Sequence, residues 1–241
     1  MIKQIKRVVG LMAVAGMLMF PMTAKAADGQ LGIYVAPKVI YGLTYMKNVK
    51  YQEVYGGPWS GNLGSHWDST FGGSLAAGYD LSKKLNVPVR AELEYAVFSK
   101  AEAEGMPEGW TSDKFKQTNN IQTLFVNVYY DINTGTRFIP YVGAGMGVGF
   151  IRTKGGAKYS TGHIENTGSK TVTNFAWNIG LGLGYQITNN IALDVGYRFA
   201  DLGKAKTNWY DWTEYDPGDG WHLETKRIYQ HQFSMGARFT F

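Results

Sequence analysis

Residues 174–187, NFAWNIGLGLGYQI, alternate between two kinds of side chain. Odd positions hold Phe175, Trp177, Ile179, Leu181, Leu183, Tyr185 and Ile187, while even ones hold Asn174, Ala176, Asn178, Gly180, Gly182, Gly184 and Gln186. Successive side chains of a β-strand point to opposite faces, so this segment has one greasy face and one small or polar face. Segments 30–42, 69–81, 88–99, 121–132, 138–152, 191–202 and 228–241 repeat the pattern. Period-two patterning over about ten residues is the signature of a strand.

The polar faces carry Lys38, Arg90, Glu92, Glu94, Asn127, Asp131, Asp194, Arg198, Gln232 and Arg238, with Gly143, Gly145, Gly147 and Gly149 filling that of 138–152. Eight strands close a barrel whose interior is only just wide enough to be filled by side chains. Placing every large apolar residue inside would overfill it and leave glycines and charges to coat the surface. Placing them outside fills the lumen with small and mutually pairing groups. An apolar outer band of that size is not tolerated in water, and only a closed barrel satisfies every backbone polar group in lipid without helices. The sequence therefore predicts an all-β fold, an eight-stranded antiparallel up-and-down transmembrane β-barrel over residues 27–241.

The connections give independent support. SKKLNV, NTGTR and TNN are short, whereas 43–68, 100–120, 153–170 and 203–227 are long. Barrels of the outer-membrane type pair short periplasmic turns with long outer loops. Aromatics gather near both edges of the apolar faces, with Tyr79, Tyr130, Tyr185 and Phe241 toward the turns and Tyr41, Tyr95, Phe150, Trp177, Phe199 and Tyr229 toward the loops. These are the expected interfacial girdles. Both chain ends then face the periplasm and the long loops face outward.

Residues 1–26 have the plan of a secretory signal peptide: basic Lys3, Lys6 and Arg7, an uncharged apolar run from Val8 to Met22, and the small-x-small site Ala24-Lys25-Ala26. They hold four of the 24 basic residues and none of the 19 acidic ones, so the remainder carries a net charge of only +1. The excess of positive charge thus belongs to export, and no nucleic-acid partner is implied. Cysteine is absent, which leaves the exported chain without a disulfide framework.

FIPYVGAGMGVGF (138–150), NIALDVGYRFADLG (190–203) and the terminal HQFSMGARFTF resemble the opacity-type outer-membrane proteins, eight-stranded surface barrels of Gram-negative bacteria. The resemblance implies outer-membrane localisation, contact with outer-membrane lipids and lipopolysaccharide, and a role among surface antigens and adhesins. It also implies that Phe233, Phe239 and Phe241 form the terminal signal read by the barrel-assembly machinery.

Functional candidates fall into three groups. Lys38, Arg90, Glu92, Glu94, Asp194, Arg198 and Arg238 converge on the lumen, either as a structural ion-pair network or as the charge ring of a narrow porin-like channel. Trp59, Trp67, Trp110, Trp209, Trp212 and Trp221 are assigned to the loops. Trp and Tyr dominate binding hot spots, so these residues are the leading candidates for contact with a host-cell, glycan or matrix ligand. The flanking Lys47, Lys50, Lys204 and Lys206 could meet anionic sugars or lipid phosphates. A lipid-modifying enzyme is the third reading. His231 falls on the greasy face and Ser234 on the other, so they make no dyad, and no spacing supports His66 with Asp68. The acidic turn with Asp211, Glu214, Asp216 and Asp219 lacks the EF-hand spacing. The sequence thus predicts a non-enzymatic scaffold with no cofactor or resident metal.

Overall fold

The computed structural model describes residues 31–55, 57–109, 112–211 and 219–241. The expected signal peptide, Trp110, Trp212, Glu214 and Asp216 lie outside the described residues. Eleven strands are assigned among them: β1 (Ile33–Val54), β2 (Pro58–Asp80), β3 (Val89–Phe98), β4 (Ala101–Gly105), β5 (Lys114–Asp131), β6 (Phe138–Lys158), β7 (Ile164–Asn166), β8 (Lys170–Thr188), β9 (Ile191–Lys206), β10 (Tyr210–Asp211) and β11 (Gly220–Thr240). β4 continues β3 along β5, while β7 and β10 only extend the edges of β6 and β11. Every neighbouring pair is antiparallel, and β1 pairs with β11 from Tyr34↔Thr240 to Val54↔Gly220, closing a ring of eight. Backbone bonds at the turn end, Phe241 N to Ile33 O at 2.8 Å and Gly32 N to Phe241 O at 3.2 Å, complete the seam.

On that half of the barrel the expected alternation holds. Phe175, Ile179, Leu181, Met146, Val126 and Met235 stand exposed on the outer wall, Phe175 at 69%. Inside, tyrosines lie over glycines: Tyr34 over Gly78, Tyr129 over Gly143 and Tyr141 over Gly182. A Cβ on Gly182 would fall within the Tyr141 ring, so the glycine-rich polar face leaves room for rings crossing the lumen. In the SKKLNV turn, α1 (Ser82–Leu85) ends at Asn86 with φ 56°, the left-handed cap that Asn accepts more readily than most residues.

The long connections differ from expectation. Most of 43–68, 100–120, 153–170 and 203–227 is strand rather than loop. At about 3.3 Å per residue and a tilt of about 40°, the 22 residues of β1 rise about 55 Å, against about 25 Å for a membrane band. The barrel therefore stands about 30 Å clear of the band. β5 shows how the chain manages both halves. Its inward residues run Asp131, Tyr129, Asn127, then Phe125, Thr123, Ile121, Asn119, Gln117 and Phe115, while its outward ones run Tyr130, Val128, Val126, Leu124, then Gln122, Asn120, Thr118 and Lys116. The outward face turns from apolar to polar and the inward face gains buried Phe and Ile among hydrogen-bonded polar groups, without a break in the strand, because the surroundings change from apolar to aqueous.

The loop-side half has its own core of Met46, Val49, Tyr51, Leu63, Phe115, Ile121, Phe125, Ile151, Leu202, Trp221, Leu223 and Ile228, all buried. Full burial of such side chains stabilises by about 1.5–3 kcal/mol each. Adjacent bulges at 47–48 in β1 and 226–227 in β11 kink the wall where this half begins.

Candidate functional site

The seven lumen residues come together in three ion-paired groups. In the first, Lys38 Nζ lies 2.8 Å from Glu92 Oε1 and 2.7 Å from Glu94 Oε2, and Arg198 Nη2 lies 2.6 Å from Glu94 Oε1. Neighbours on the same network are Tyr34 and Tyr129, which donate to Glu92, and Gln232, which accepts from Arg198 Nε. Arg90 does not join it but forms a bidentate pair with Asp131 at 2.7 and 2.9 Å. Arg238 reaches Asp194 at 3.5 Å. The period-two pattern also places Asp131, Tyr34, Tyr129 and Tyr141 on inward faces, which is the signal by which these further members of the network can be found.

A cavity of about 30 Å3 beside Lys38, Glu94, Arg198 and Tyr129 has room for one or two waters. Above it Gln230 bridges Thr44 and Thr70 at 3.1 and 3.0 Å, and then the apolar core begins. A charge ring conducts ions only along a wet path, and a path through these charges would have to cross that core. We propose that the arrangement acts as a plug.

The four described tryptophans of the six, Trp59, Trp67, Trp209 and Trp221, do not share one surface. Trp221 is a correction: it is fully buried, with ring centroids 5.7 Å from Tyr51 and 5.6 Å from Phe115. Its Nε1 donates to Glu165 Oε2 at 2.8 Å, and Tyr159 donates to the same oxygen at 2.7 Å. Burial and the Glu165 hydrogen bond push the Tyr159 phenol well above its ordinary range. Trp221 points inward because the bulge at 226–227 shifts the inward register of β11 from Ile228 and Gln230 to Thr225, Leu223 and Trp221. Trp67 is a second correction. It lies on the outer wall, 4.6 Å from Tyr45, in an aromatic belt that continues through Tyr229, Phe199 and Trp177. Exposed near the rim are Tyr55 (72%), Trp59 (41%) and Trp209 (38%).

Neither His231 with Ser234 nor His66 with Asp68 forms a pair. His231 Nδ1 bonds the Tyr197 hydroxyl at 2.8 Å on the outer wall, away from Ser234. His66 Nε2 meets Leu63 O at 2.9 Å, while Asp68 accepts from the Ser69 and Glu102 amides.

His222 is buried beneath Trp209 at 4.8 Å, and neither ring nitrogen has a hydrogen bond among the described residues. Burial first, then Lys206 and Lys170, lower its pKa from 6.5 to about 4. The unfolded rim therefore binds the proton more readily than the folded one. The stability His222 confers is full above pH about 6.5 and drains as pH falls toward 4, by up to about 3 kcal/mol. Limited proteolysis of the rim should accelerate across that window and lose the pH dependence in H222Q. A wild-type rate flat from pH 7 to 4 contradicts the burial.

A family model described as "Outer membrane protein beta-barrel domain" matches residues 12–241. The outer membrane protein PagN of Salmonella typhimurium is 28% identical over 228 residues, covering 89% of this chain and 92% of that one. A putative adhesin of Rickettsia conorii is 26% identical over 175 residues, covering 70% of this chain and 67% of its own. Among solved structures, Neisserial surface protein A aligns over 89% of this chain and 100% of that one, with 20% identity and a TM-score of 0.45.

Proposed function

Because the chain belongs to the outer membrane protein β-barrel domain family, we propose that it is a surface barrel that binds a ligand outside the cell through its loop-side rim, and so serves adhesion. The carrying observation is the loop-side half itself. A barrel needed only to span lipid has no use for a further ~30 Å of wall with a separate apolar core. That wall makes a rigid stalk, and rigid elements position a binding surface better than mobile loops do. It lifts Tyr55, Trp59 and Trp209 clear of the membrane. Relatives bearing the names opacity protein and putative adhesin support the reading. The short connections, the start of β1 and the end of β11 share one end of the barrel, and we place that end in the periplasm and the rim outside. Phe233, Phe239 and Phe241, along the closing strand, are proposed as the segment recognised during assembly.

The test is a screen of the refolded barrel against glycans and matrix proteins. The variant Tyr55→Ala/Trp59→Ala/Trp209→Ala is expected to lose binding about thirtyfold, as for a hot spot worth about 2 kcal/mol, while the lipid-embedded half stays protected from protease. Full binding by the triple variant removes the rim from the reading.

A further inference from the structure

Above the apolar band the outer wall of β5 and β6 turns basic. Arg152, Lys154 and Lys158 point outward between the buried Ile151, Thr153, Gly155 and Ala157. Lys114 and Lys116 do the same on either side of buried Phe115. Lys116 pairs with Glu102 at 2.7 Å; the other four form no ion pair among the described residues. Lys114 and Lys158 are direct cross-strand partners. Like charges placed so are destabilising; of the nearby acids, Glu102 and Glu104 lie opposite Thr118 and Lys116, and Asp113 accepts from the Ser160 amide, so none pairs with these four.

Height identifies the counter-group. Met146, Val148, Phe150, Arg152 and Lys154 share one outward face of one strand. Two residues of tilted strand rise about 5 Å, so Arg152 stands about 5 Å and Lys154 about 10 Å above the last apolar residue. Polar headgroups begin at that depth outside a hydrocarbon core. Long basic side chains there lay their stems along apolar surface and present the charge to the interface, and a guanidinium takes phosphate oxygens in bidentate fashion.

We infer that the β5–β6 wall binds the phosphorylated headgroups of anionic lipids in the surrounding leaflet, with Arg152 and Lys154 nearest the phosphates. The occupant is a lipid rather than a soluble polyanion because the patch lies on the side wall, continuous with the apolar band. A molecule held by its acyl chains beside the barrel meets it directly. The site goes beyond the rim reading and uses none of its residues.

The full barrel is refolded into phosphatidylcholine nanodiscs containing bisphosphorylated lipid A, extracted into mild detergent, and weighed intact by native mass spectrometry. Wild type is expected to carry lipid A, and Arg152→Gln/Lys154→Gln to carry at least about tenfold less, each cation being worth roughly fivefold near a charged surface. Arg152→Lys should keep most of it. Because a folding defect would also lower retention, a second readout uses the wild-type charges: a fluorophore on Thr118→Cys, facing outward opposite Lys154, should transfer energy to labelled lipid A but not to labelled phosphatidylcholine. Equal retention by the glutamine variant, absence of selective transfer, or displacement of lipid A by soluble heparin each overturns the inference.

Discussion

Replacing Glu94 by glutamine is expected to lower the unfolding free energy of the barrel by about 3–5 kcal/mol, the usual cost of leaving a buried charge without its partner. Glu94 is the one carboxylate shared by Lys38 and Arg198, at 2.7 and 2.6 Å, and all three side chains are largely buried. Gln keeps the shape but supplies no charge, so Arg198 loses its only ion pair among the described residues and Lys38 keeps Glu92 alone. The check is the urea midpoint of barrels refolded into phospholipid vesicles. Lys38→Met/Glu92→Gln/Glu94→Gln/Arg198→Met should recover much of the loss, because removing a whole buried cluster is far cheaper than orphaning part of it. If E94Q unfolds at the wild-type midpoint, the plug does not rest on these pairs. Ion flux adds a second check, since wild-type vesicles should be silent while the core above the network stays closed.

Trp221→Ala should have an effect of similar size by a different route. Its ring packs on Tyr51, Phe115 and Tyr210 at the centre of the loop-side core, and its loss also leaves the Glu165 oxygen it bonds with the Tyr159 hydroxyl alone. Removing a fully buried Trp costs about 3–5 kcal/mol through lost transfer energy and the cavity left behind. The damage should be local. The stalk should become protease-sensitive in intact vesicles, while the lipid-embedded half stays protected and migrates as a folded barrel. Ligand binding at the rim should fall along with this loss of order. Weak binding by a W221A protein with a fully protected stalk would mean that Trp221 contacts ligand directly, against its burial.

How far the sequence could be read is clearest along single strands. In β8 the alternation from Phe175 to Ile187 is uninterrupted, so its inner and outer faces were legible. In β5 and β6 the alternation also continues above the band, but its polarity inverts: Lys154 and Lys158 point out, and Ile151 and Ala157 point in. A reading that looks for an apolar outward face stops there and assigns a loop. In β1 and β11 the period itself slips at the bulges, so the inward registers of Tyr51 and Trp221 cannot be counted from the band below. Trp221-x-Leu223-x-Thr225 still carried a local signal of a buried face. The lumen charges were legible because they share inward positions with glycines. The meeting of Glu94 with Arg198 was legible too, since their strands lie across the barrel from each other, but Arg90 turning to Asp131 was not, because it depends on the stagger between neighbouring strands.

The central claim is that one outward face passes from lipid to water between Phe150 and Arg152, with buried apolar groups joining the interior to match. The chain has no cysteine, so single-cysteine labelling of the β6 outer face is clean. A fluorophore at Met146→Cys should be quenched by nitroxides carried on lipid acyl chains and ignore iodide, and one at Lys154→Cys should do the opposite. The same quencher reaching both positions equally would contradict the account.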